Sequence, residues 1–244
     1  MSDESKLISS SFKLIDLTHT LNSAAPTWSG QCGFLERVIV DYPEACRVQS
    51  IEINAGTGTH IDAPSHFIPG ARNAADIPLE ELIAPFYVID VSKKAHADYY
   101  ITPEDILAFE AEHEKIKPHS LVIGYTGWDR FWGDAKKFRN PDISGQMHFP
   151  GFTKESADLL LTRNIVGLGI DSLSPDCLDL TFPVHYAILG AGKYIVENLA
   201  NCKLLPPVGA QGIILPIKTE NGTEALSRVI GLVPRASYST TTHS

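Results

Sequence analysis

The residues best suited to chemistry lie in the segment NAGTGTHIDAPSHF, residues 54–67, which holds His60, Asp62 and His66. Pro64 is incompatible with a helix interior and pushes the residue before it toward an extended conformation, so the segment is predicted to be extended or looped. Side chains of an extended chain alternate between two faces, and these three groups then share a face with two glycines. Such a face could hold a metal ion and admit a substrate.

A simpler interpretation is that His60 and Asp62 form a hydrogen-bonded pair in a turn, while the glycines serve only backbone geometry. For an isolated His-x-Asp pair this is the commoner outcome. Three titratable groups of one parity, in a stretch dense in Gly and Thr, favour a metal or catalytic role instead.

Two later residues extend the candidate site. His185 begins an apolar run and, taken alone, is typical of a core or surface histidine. Glu197 lies within the apolar stretch YIVENL, where a buried carboxylate is costly unless it is paired or bound to a cation. Glu197 therefore independently favours a ligand role.

The elements that must position these groups are mostly strands. Apolar runs rich in β-branched residues predict strands at 12–18, 36–40, 47–53, 86–91, 120–124, 165–170, 212–217 and 228–233. Helices are predicted from Thr102 to about residue 114 and over 153–163, each opening with a cap residue and acidic residues in the first turn. This mixed order predicts one α/β domain over residues 11–236, with unstructured ends at 1–10 and 237–244.

Composition narrows the class of protein. The chain has 244 residues, 43% of them hydrophobic, enough for a substantial core, and a net charge of −9 that disfavours nucleic acid and membrane surfaces as partners. No apolar run is long enough to span a membrane, and the N-terminus does not resemble an export signal. The four cysteines show no CxxC pair, so reduced thiols and a cytoplasmic location are expected.

The segment GTHIDAPSH, residues 58–66, closely resembles the signature of the cyclase-like metal-dependent hydrolases, the family of bacterial kynurenine formamidases and isatin hydrolases. Further similarities to that family are Asp16–His19, Pro26–Gly30, Thr126–Trp128, Phe149–Phe152, Gly169–Asp171, and His185 followed by Glu197. The resemblance implies a mixed, curved, barrel-like sheet with peripheral helices, and association as a homodimer or higher homo-oligomer.

The resemblance also assigns roles. It implies that one or two divalent ions, zinc or manganese, are bound by His60, Asp62, His185 and Glu197, with Asp62 bridging and His66 as general acid/base. The aromatic side chains of Trp28, Phe67 and Trp128 are expected to line the substrate pocket, although packing in the core is the commoner fate of such residues.

One position departs from the family pattern. The family usually has a ligand histidine four residues before His60, and this chain has Gly56 there. A site of His60, Asp62 and Glu197 is therefore expected to be weaker than a site of Asp62, His185 and Glu197. His19 or Asn54 is a possible source of the lost ligand.

The expected function is metal-dependent hydrolysis of an amide, formamide, cyclic imide-like or lactone bond in a small planar substrate, by a metal-activated water with His66 as general acid/base. A catalytically impaired homologue that only binds a small molecule, having lost the ligand at Gly56, is the main alternative. A metal-free lyase or cyclase using His66 and Asp62 is a weaker one. A serine hydrolase is disfavoured because the sequence contains no GxSxG motif.

Overall fold

A computed structural model describes residues 8–176 and 179–235. Within these residues the strands are β1 (Phe12–Asp16), β2 (Phe34–Val40), β3 (Val48–Ile53), β4 (His60–Asp62), β5 (Ile83–Asp90), β6 (Tyr100–Ile101), β7 (Leu121–Tyr125), β8 (Gly151–Phe152), β9 (Gly167–Ile170), β10 (Tyr194–Glu197), β11 (Ala210–Pro216) and β12 (Glu224–Pro234). The α-helices are α1 (Ile8–Ser11), α2 (Leu79–Leu82), α3 (Pro103–Glu112), α4 (Ala135–Arg139), α5 (Lys154–Leu161) and α6 (Pro183–Gly190).

The main sheet closes into a barrel. Its strands are ordered β1-β12-β11-β5-β7-β9-β10-β4, and β12 also pairs with β4, so seven strands form a ring with β1 attached outside it. The strands β5, β7, β9 and β10 run parallel to one another, whereas the pairings that involve β4, β11 and β12 are antiparallel. The prediction of a mixed, barrel-like sheet in a single α/β domain is therefore confirmed.

Both faces of the central strands are buried, which explains their continuous apolar sequences. In β5, Phe86 and Val88 belong to a cluster that every strand of the ring except β9 joins and that fills the barrel. Their neighbours Tyr87 and Ile89 belong to a second cluster, packed outside the barrel under α3, α5 and α6. Because successive side chains point to opposite faces of a strand, a central strand such as β5 contributes both to the core inside the barrel and to the core outside it.

The strands β2 and β3 stand apart from the barrel as a two-stranded ribbon. Their sequences predict strands correctly, but the ribbon leaves large apolar side chains in solvent, among them Ile39 at 62% exposure and Ile51 at 60%. A surface of this kind is uncommon on a monomer and is typical of interaction sites.

The ends of the domain differ in part from the expectation. Residues 8–11 form the short helix α1, so the predicted unstructured N-terminus does not extend to residue 10. Residues 1–7 and the predicted tail at 237–244 lie outside the described residues. None of the helices in the described ranges combines the length and apolar character of a membrane-spanning segment.

Candidate metal centre

The centre is built on β4 and the two strands beside it. In the antiparallel register, Glu197 of β10 lies opposite His60, and Glu224 of β12 lies opposite Asp62. Cross-strand partners project from the same face, so the four side chains converge. The intervening Ile61 points into the barrel core. The polar groups therefore emerge on the outer face of the sheet, near the seam where β4 and β12 close the barrel.

The helix α6 covers this face and adds His185. Its first turn is fixed by Asp176, whose carboxylate accepts hydrogen bonds from the backbone N–H groups of Val184 and His185 at 2.9 Å. The same carboxylate lies 2.7 Å from His185 Nδ1. A single buried aspartate thus fixes both the start of the helix and the orientation of the imidazole.

Two carboxylates each face both histidines. Asp62 places Oδ1 at 3.3 Å from His60 Nε2 and Oδ2 at 3.4 Å from His185 Nε2. Glu197 places Oε2 at 3.5 Å from His60 Nε2 and Oε1 at 3.4 Å from His185 Nε2. Two imidazoles joined by two shared carboxylates form the arrangement expected around a pair of bridged ions.

The second nitrogen of each ring is already engaged. His60 Nδ1 lies 2.8 Å from the carbonyl oxygen of Gly58, and His185 Nδ1 lies 2.7 Å from Asp176. Since a carbonyl and a carboxylate accept hydrogen bonds, each Nδ1 is the donor, and each Nε2 is left facing the shared carboxylates, where it can hold either a proton or a metal ion. Metal-binding histidines in proteins are oriented in this way.

The donor set fits a divalent ion. In a tetrahedral site with bonds of about 2.0–2.2 Å, ligand atoms lie roughly 3.3–3.6 Å apart, and the four separations between imidazole and carboxylate fall within that range. Asp62 Oδ1 is buried and accepts no hydrogen bond. Two groups of ligand atoms are close enough to share an ion, one of His60, Asp62 and Glu224, the other of Asp62, His185 and Glu197.

The electrostatics show that this cluster requires positive charge. Burial alone would lower the pKa of His60, but the neighbouring Asp62 and Glu197 outweigh it and raise the pKa to about 10. Burial likewise opposes protonation of His185, yet its hydrogen bonds to carboxylates raise its pKa. Burial, and then Asp62, raise the pKa of Glu197 to about 7. Closely packed buried carboxylates are stable only with protons or a cation among them.

His66 reaches the same pocket by a different backbone path from the predicted one. The extended segment ends at Asp62, and Pro64 begins a 3₁₀ turn over Pro64–His66. His66 Nδ1 then lies 3.8 Å from Glu224 Oε2. Its side chain is 29% exposed, so it can exchange protons with solvent while it faces the cluster.

A cavity of about 270 Å³ opens over the cluster, near the lower limit for small-molecule sites. It is lined by Trp28, Gly56, His60, Asp62, His66, Phe67, Leu173, Ser174, Phe182, His185, Glu197 and Glu224. Aromatic rings form one wall: Phe182 lies 5.8 Å from Trp28 and 5.3 Å from Phe67 between ring centroids. The structure therefore places Trp28 and Phe67 beside this cavity, and their role in binding substrate stays a prediction.

Trp128 is not part of this wall, which corrects the prediction that it lines the substrate pocket. It is 5% exposed, packs with Phe138 and Phe149, and donates its indole N–H to the carbonyl oxygen of Phe138 at 2.8 Å. Trp128 follows a buried strand and Gly127, whose backbone is left-handed. This turn directs the indole ring into a small core that is separate from the pocket. Trp128 is a packing residue.

Neither of the suggested replacements for the missing histidine belongs to the cluster. The ring of His19 stacks on Trp132, with centroids 4.1 Å apart, and borders a separate cavity of about 750 Å³. Burial lowers the pKa of His19 to about 4. Asn54 binds the carbonyl oxygen of Gly33 through its backbone N–H at the base of the ribbon.

Sequence reasoning missed three residues of the site: Asp176, Phe182 and Glu224. Phe182 has a left-handed backbone, with φ of 54°, a costly conformation for a bulky residue that places its ring over the pocket. Asp176 follows Ser-Pro before the helix, a sequence typical of a capping turn. Glu224 lies in the polar run KTENGTE, which carries no local signal for a ligand.

Comparisons with known proteins agree with this site. Residues 15–177 match the family described as "Putative cyclase". An isatin hydrolase from Roseibium aggregatum is 37% identical over 192 residues, covering 74% of this chain and 72% of the relative. A kynurenine formamidase from Salinibacter ruber is 28% identical over 225 residues, covering 89% and 96% respectively.

Isatin hydrolase A from Labrenzia aggregata, solved with benzyl benzoate bound, has a TM-score of 0.87 and 35% identity over 94% of this chain and 96% of that one. The fold and the site thus define an enzyme of the metal-dependent hydrolase class. Within that class, the chain belongs to the Cyclase family, together with these isatin hydrolases and kynurenine formamidases.

Proposed function

We propose that the protein hydrolyses an amide bond in a small planar substrate, either an aryl formamide or the lactam of an isatin-like ring. The observation that carries this proposal is the pair of buried imidazoles that share Asp62 and Glu197 beneath an aromatic wall. The names of its relatives, isatin hydrolase and kynurenine formamidase, support the choice of bond.

His60, Asp62, His185 and Glu197 would hold one or two divalent ions, zinc or manganese. Such an ion polarises a substrate carbonyl and lowers the pKa of water. The fixed Nδ1 hydrogen bonds of both histidines keep the ligands oriented before substrate arrives, so little reorganisation is needed at the reacting carbonyl.

The other residues of the pocket bind the substrate and move protons. Trp28, Phe67 and Phe182 would hold the planar part of the substrate, and their rings exclude water from it. His66 would take the proton that the attacking water loses and return it to the nitrogen as the C–N bond breaks. Water adds its hydroxyl to the carbonyl carbon and its proton to nitrogen, so the products are an acid and an amine.

The experiment combines elemental analysis with a substrate screen. The purified protein is assayed before and after chelation on aryl formamides, isatin-type lactams and aryl lactones. We expect one or two equivalents of zinc or manganese, and turnover of a C–N substrate that is lost on chelation and restored by metal. Metal binding with no turnover of any class would instead favour a binding protein that has lost catalysis. Turnover that survives chelation would favour metal-free acid–base chemistry.

We further propose a homodimer or larger homo-oligomer, supported by the exposed apolar ribbon of β2 and β3. Replacing Ile39 and Ile51 by glutamate should shift the protein toward a monomer in analytical ultracentrifugation. An oligomer that is unchanged by these substitutions would place the interface elsewhere. The net charge and the small cavity support a small-molecule substrate rather than a nucleic acid or membrane partner, and a cytoplasmic location stays a prediction from the sequence.

A further inference from the structure

Glu224 lies in the space that a side chain at position 56 would need. A Cβ placed on Gly56 would collide with Glu224 Oε1, and would lie 3.2 Å from Glu224 Cδ and 3.5 Å from His60 Nε2. The backbone of Gly56 is not in the left-handed region, so its conformation does not demand glycine. The obstacle to a larger residue is the Glu224 carboxylate itself.

We propose that Glu224 replaces the histidine expected at position 56, as a ligand to the ion held by His60 and Asp62. This inference rests on the proposed function, because it assumes that the cluster binds metal. Glu224 Oε1 lies 3.9 Å from His60 Nε2, and with Asp62 the three side chains bring ligand atoms within 4.8 Å of one another.

The position of Glu224 follows from the closure of the barrel. Pairing of β12 with β4 puts Glu224 directly opposite Asp62 and on the same face. The ligand is therefore delivered from the neighbouring strand instead of from the loop before β4. The buried Asp62 Oδ1, which accepts no hydrogen bond, lies on the side of Asp62 that faces His60.

This exchange changes the chemistry of the ion site. With Glu224 included, each of the two ligand groups has one imidazole and two carboxylates, and they share Asp62. The expected inequality, in which the ion at His60 is the weaker, then disappears. Replacing an imidazole nitrogen by a carboxylate oxygen also makes the set harder, which favours manganese over zinc relative to a site with a histidine at position 56.

The test compares four proteins: wild type, Glu224→Ala, Gly56→His, and the double variant Gly56→His with Glu224→Ala. Glu220→Ala is the matched control, since Glu220 is an exposed acid in the same turn region. Each protein is stripped with chelator and titrated with MnCl₂ and, separately, ZnCl₂. Calorimetry measures affinity and stoichiometry, and elemental analysis after desalting gives an independent count.

We expect Glu224→Ala to lose one ion, or to bind it about tenfold or more weakly, at least the cost of removing an outer partner of a ligand. Gly56→His alone should also bind poorly, because the two side chains compete for one space. The double variant should recover affinity and shift its preference toward zinc. Glu220→Ala should match the wild type.

Two results would overturn the inference, and they are distinguishable. If Glu224→Ala binds manganese with unchanged stoichiometry and affinity, Glu224 is not a ligand, while the proposed function stands. If the wild type binds neither metal, the proposed function and this inference both fail.

Discussion

Glu224 lies directly opposite Asp62 in the pairing of β12 with β4, and that pairing is the one that closes the barrel. The same short strand β4 also carries His60 opposite Glu197 of β10. The centre is thus assembled by the seam of the barrel, so that β4 and both its neighbours supply ligand atoms. Metal binding and closure of the sheet should consequently stabilise each other.

This coupling predicts the behaviour of Asp62→Asn. Without metal, the variant should be less stable than the wild type: burial opposes ionisation of Asp62, but His60 and His185 outweigh it and lower the pKa of the carboxyl, and the neutral amide loses these interactions. With manganese at about 100 times its Kd, the wild type should gain about 2.7 kcal/mol of unfolding free energy, and the variant far less. Thermal unfolding with and without metal measures both effects, with the exposed Glu80→Gln as control. An equal gain in the variant would remove Asp62 from the ligand set.

His66→Ala should separate proton transfer from metal binding. The side chain lies at the pocket, yet its Nδ1 is 3.8 Å from Glu224 and does not belong to either group of ligand atoms. We expect kcat to fall by about 10²–10⁴-fold, with the metal content unchanged. The exposed His113→Ala serves as the control. If activity falls only in proportion to lost metal, His66 contributes to metal binding and not to proton transfer.

Asp176→Asn should weaken binding of the ion at His185, although Asp176 is not itself a ligand. With its oxygen kept at His185, the amide can still accept hydrogen bonds from the Nδ1 and the backbone N–H of His185, but its NH₂ group would then face the backbone N–H of Val184 that the carboxylate now caps. We expect manganese affinity to fall by about 10–100-fold and the free energy of unfolding by about 1 kcal/mol. Titration calorimetry and urea unfolding measure these, with the nearby exposed Asp179→Asn as control. Unchanged affinity would show that α6 orients His185 unaided.

The parts of this site that the sequence revealed are those close together along the chain. His60, Asp62 and His66 fall in one short segment, and Pro64 correctly excludes a helix interior there, although the 3₁₀ turn over Pro64–His66 was not predicted. The predicted strands each occur; in those of the main sheet the apolar runs are buried on one face or both, whereas β2 and β3 form although most of their side chains are exposed. The strands β4, β6, β8 and β10 were not predicted, since each has only two to four residues.

The remaining features of the site depend on pairing between strands that are far apart in the sequence. Nothing near Glu224 in the sequence distinguishes it from Glu220, and only the register of β12 on β4 gives it a role. Trp128 is the opposite case, because the sequence predicted a role in the pocket for a residue that packs in a core. Its motif resembles the family, but the backbone turn after β7 points the ring into a core.

The two tryptophans should therefore respond differently to substitution. Trp28 is 40% exposed at the pocket mouth, so Trp28→Ala should raise KM by about tenfold, as expected for losing about 1.4 kcal/mol of aromatic contact, with stability nearly unchanged. Trp128→Ala should cost about 3–5 kcal/mol of unfolding free energy. Trp128→Phe, which keeps most of the packing, should retain the wild-type KM. Steady-state kinetics and urea unfolding test the predictions for both tryptophans. A raised KM in Trp128→Phe would indicate that Trp128 lines the pocket after all.

Asp171 should give the protein a pH dependence that is independent of metal. Its carboxylate is fully buried, and burial raises its pKa to about 6. The hydrogen bonds donated by the backbone N–H groups of Thr126 and Trp128 and by the Thr126 hydroxyl only partly offset this. An aspartate in the unfolded chain titrates near pH 4, so the folded state holds this proton more tightly. Its stabilising contribution is complete below pH 4 and is lost as the pH rises through 6.

The measurement is the difference in unfolding free energy between wild type and Asp171→Asn, from urea titrations between pH 4.5 and 7.5. Titration of the metal ligands is common to both proteins and cancels in this difference. The wild type should lose up to ~3 kcal/mol relative to the variant across the range, the equivalent of a pKa raised from about 4 to about 6. A constant difference would mean that the three donated hydrogen bonds keep the carboxylate ionised throughout. A difference that grows in favour of the wild type with rising pH would mean that they lower its pKa.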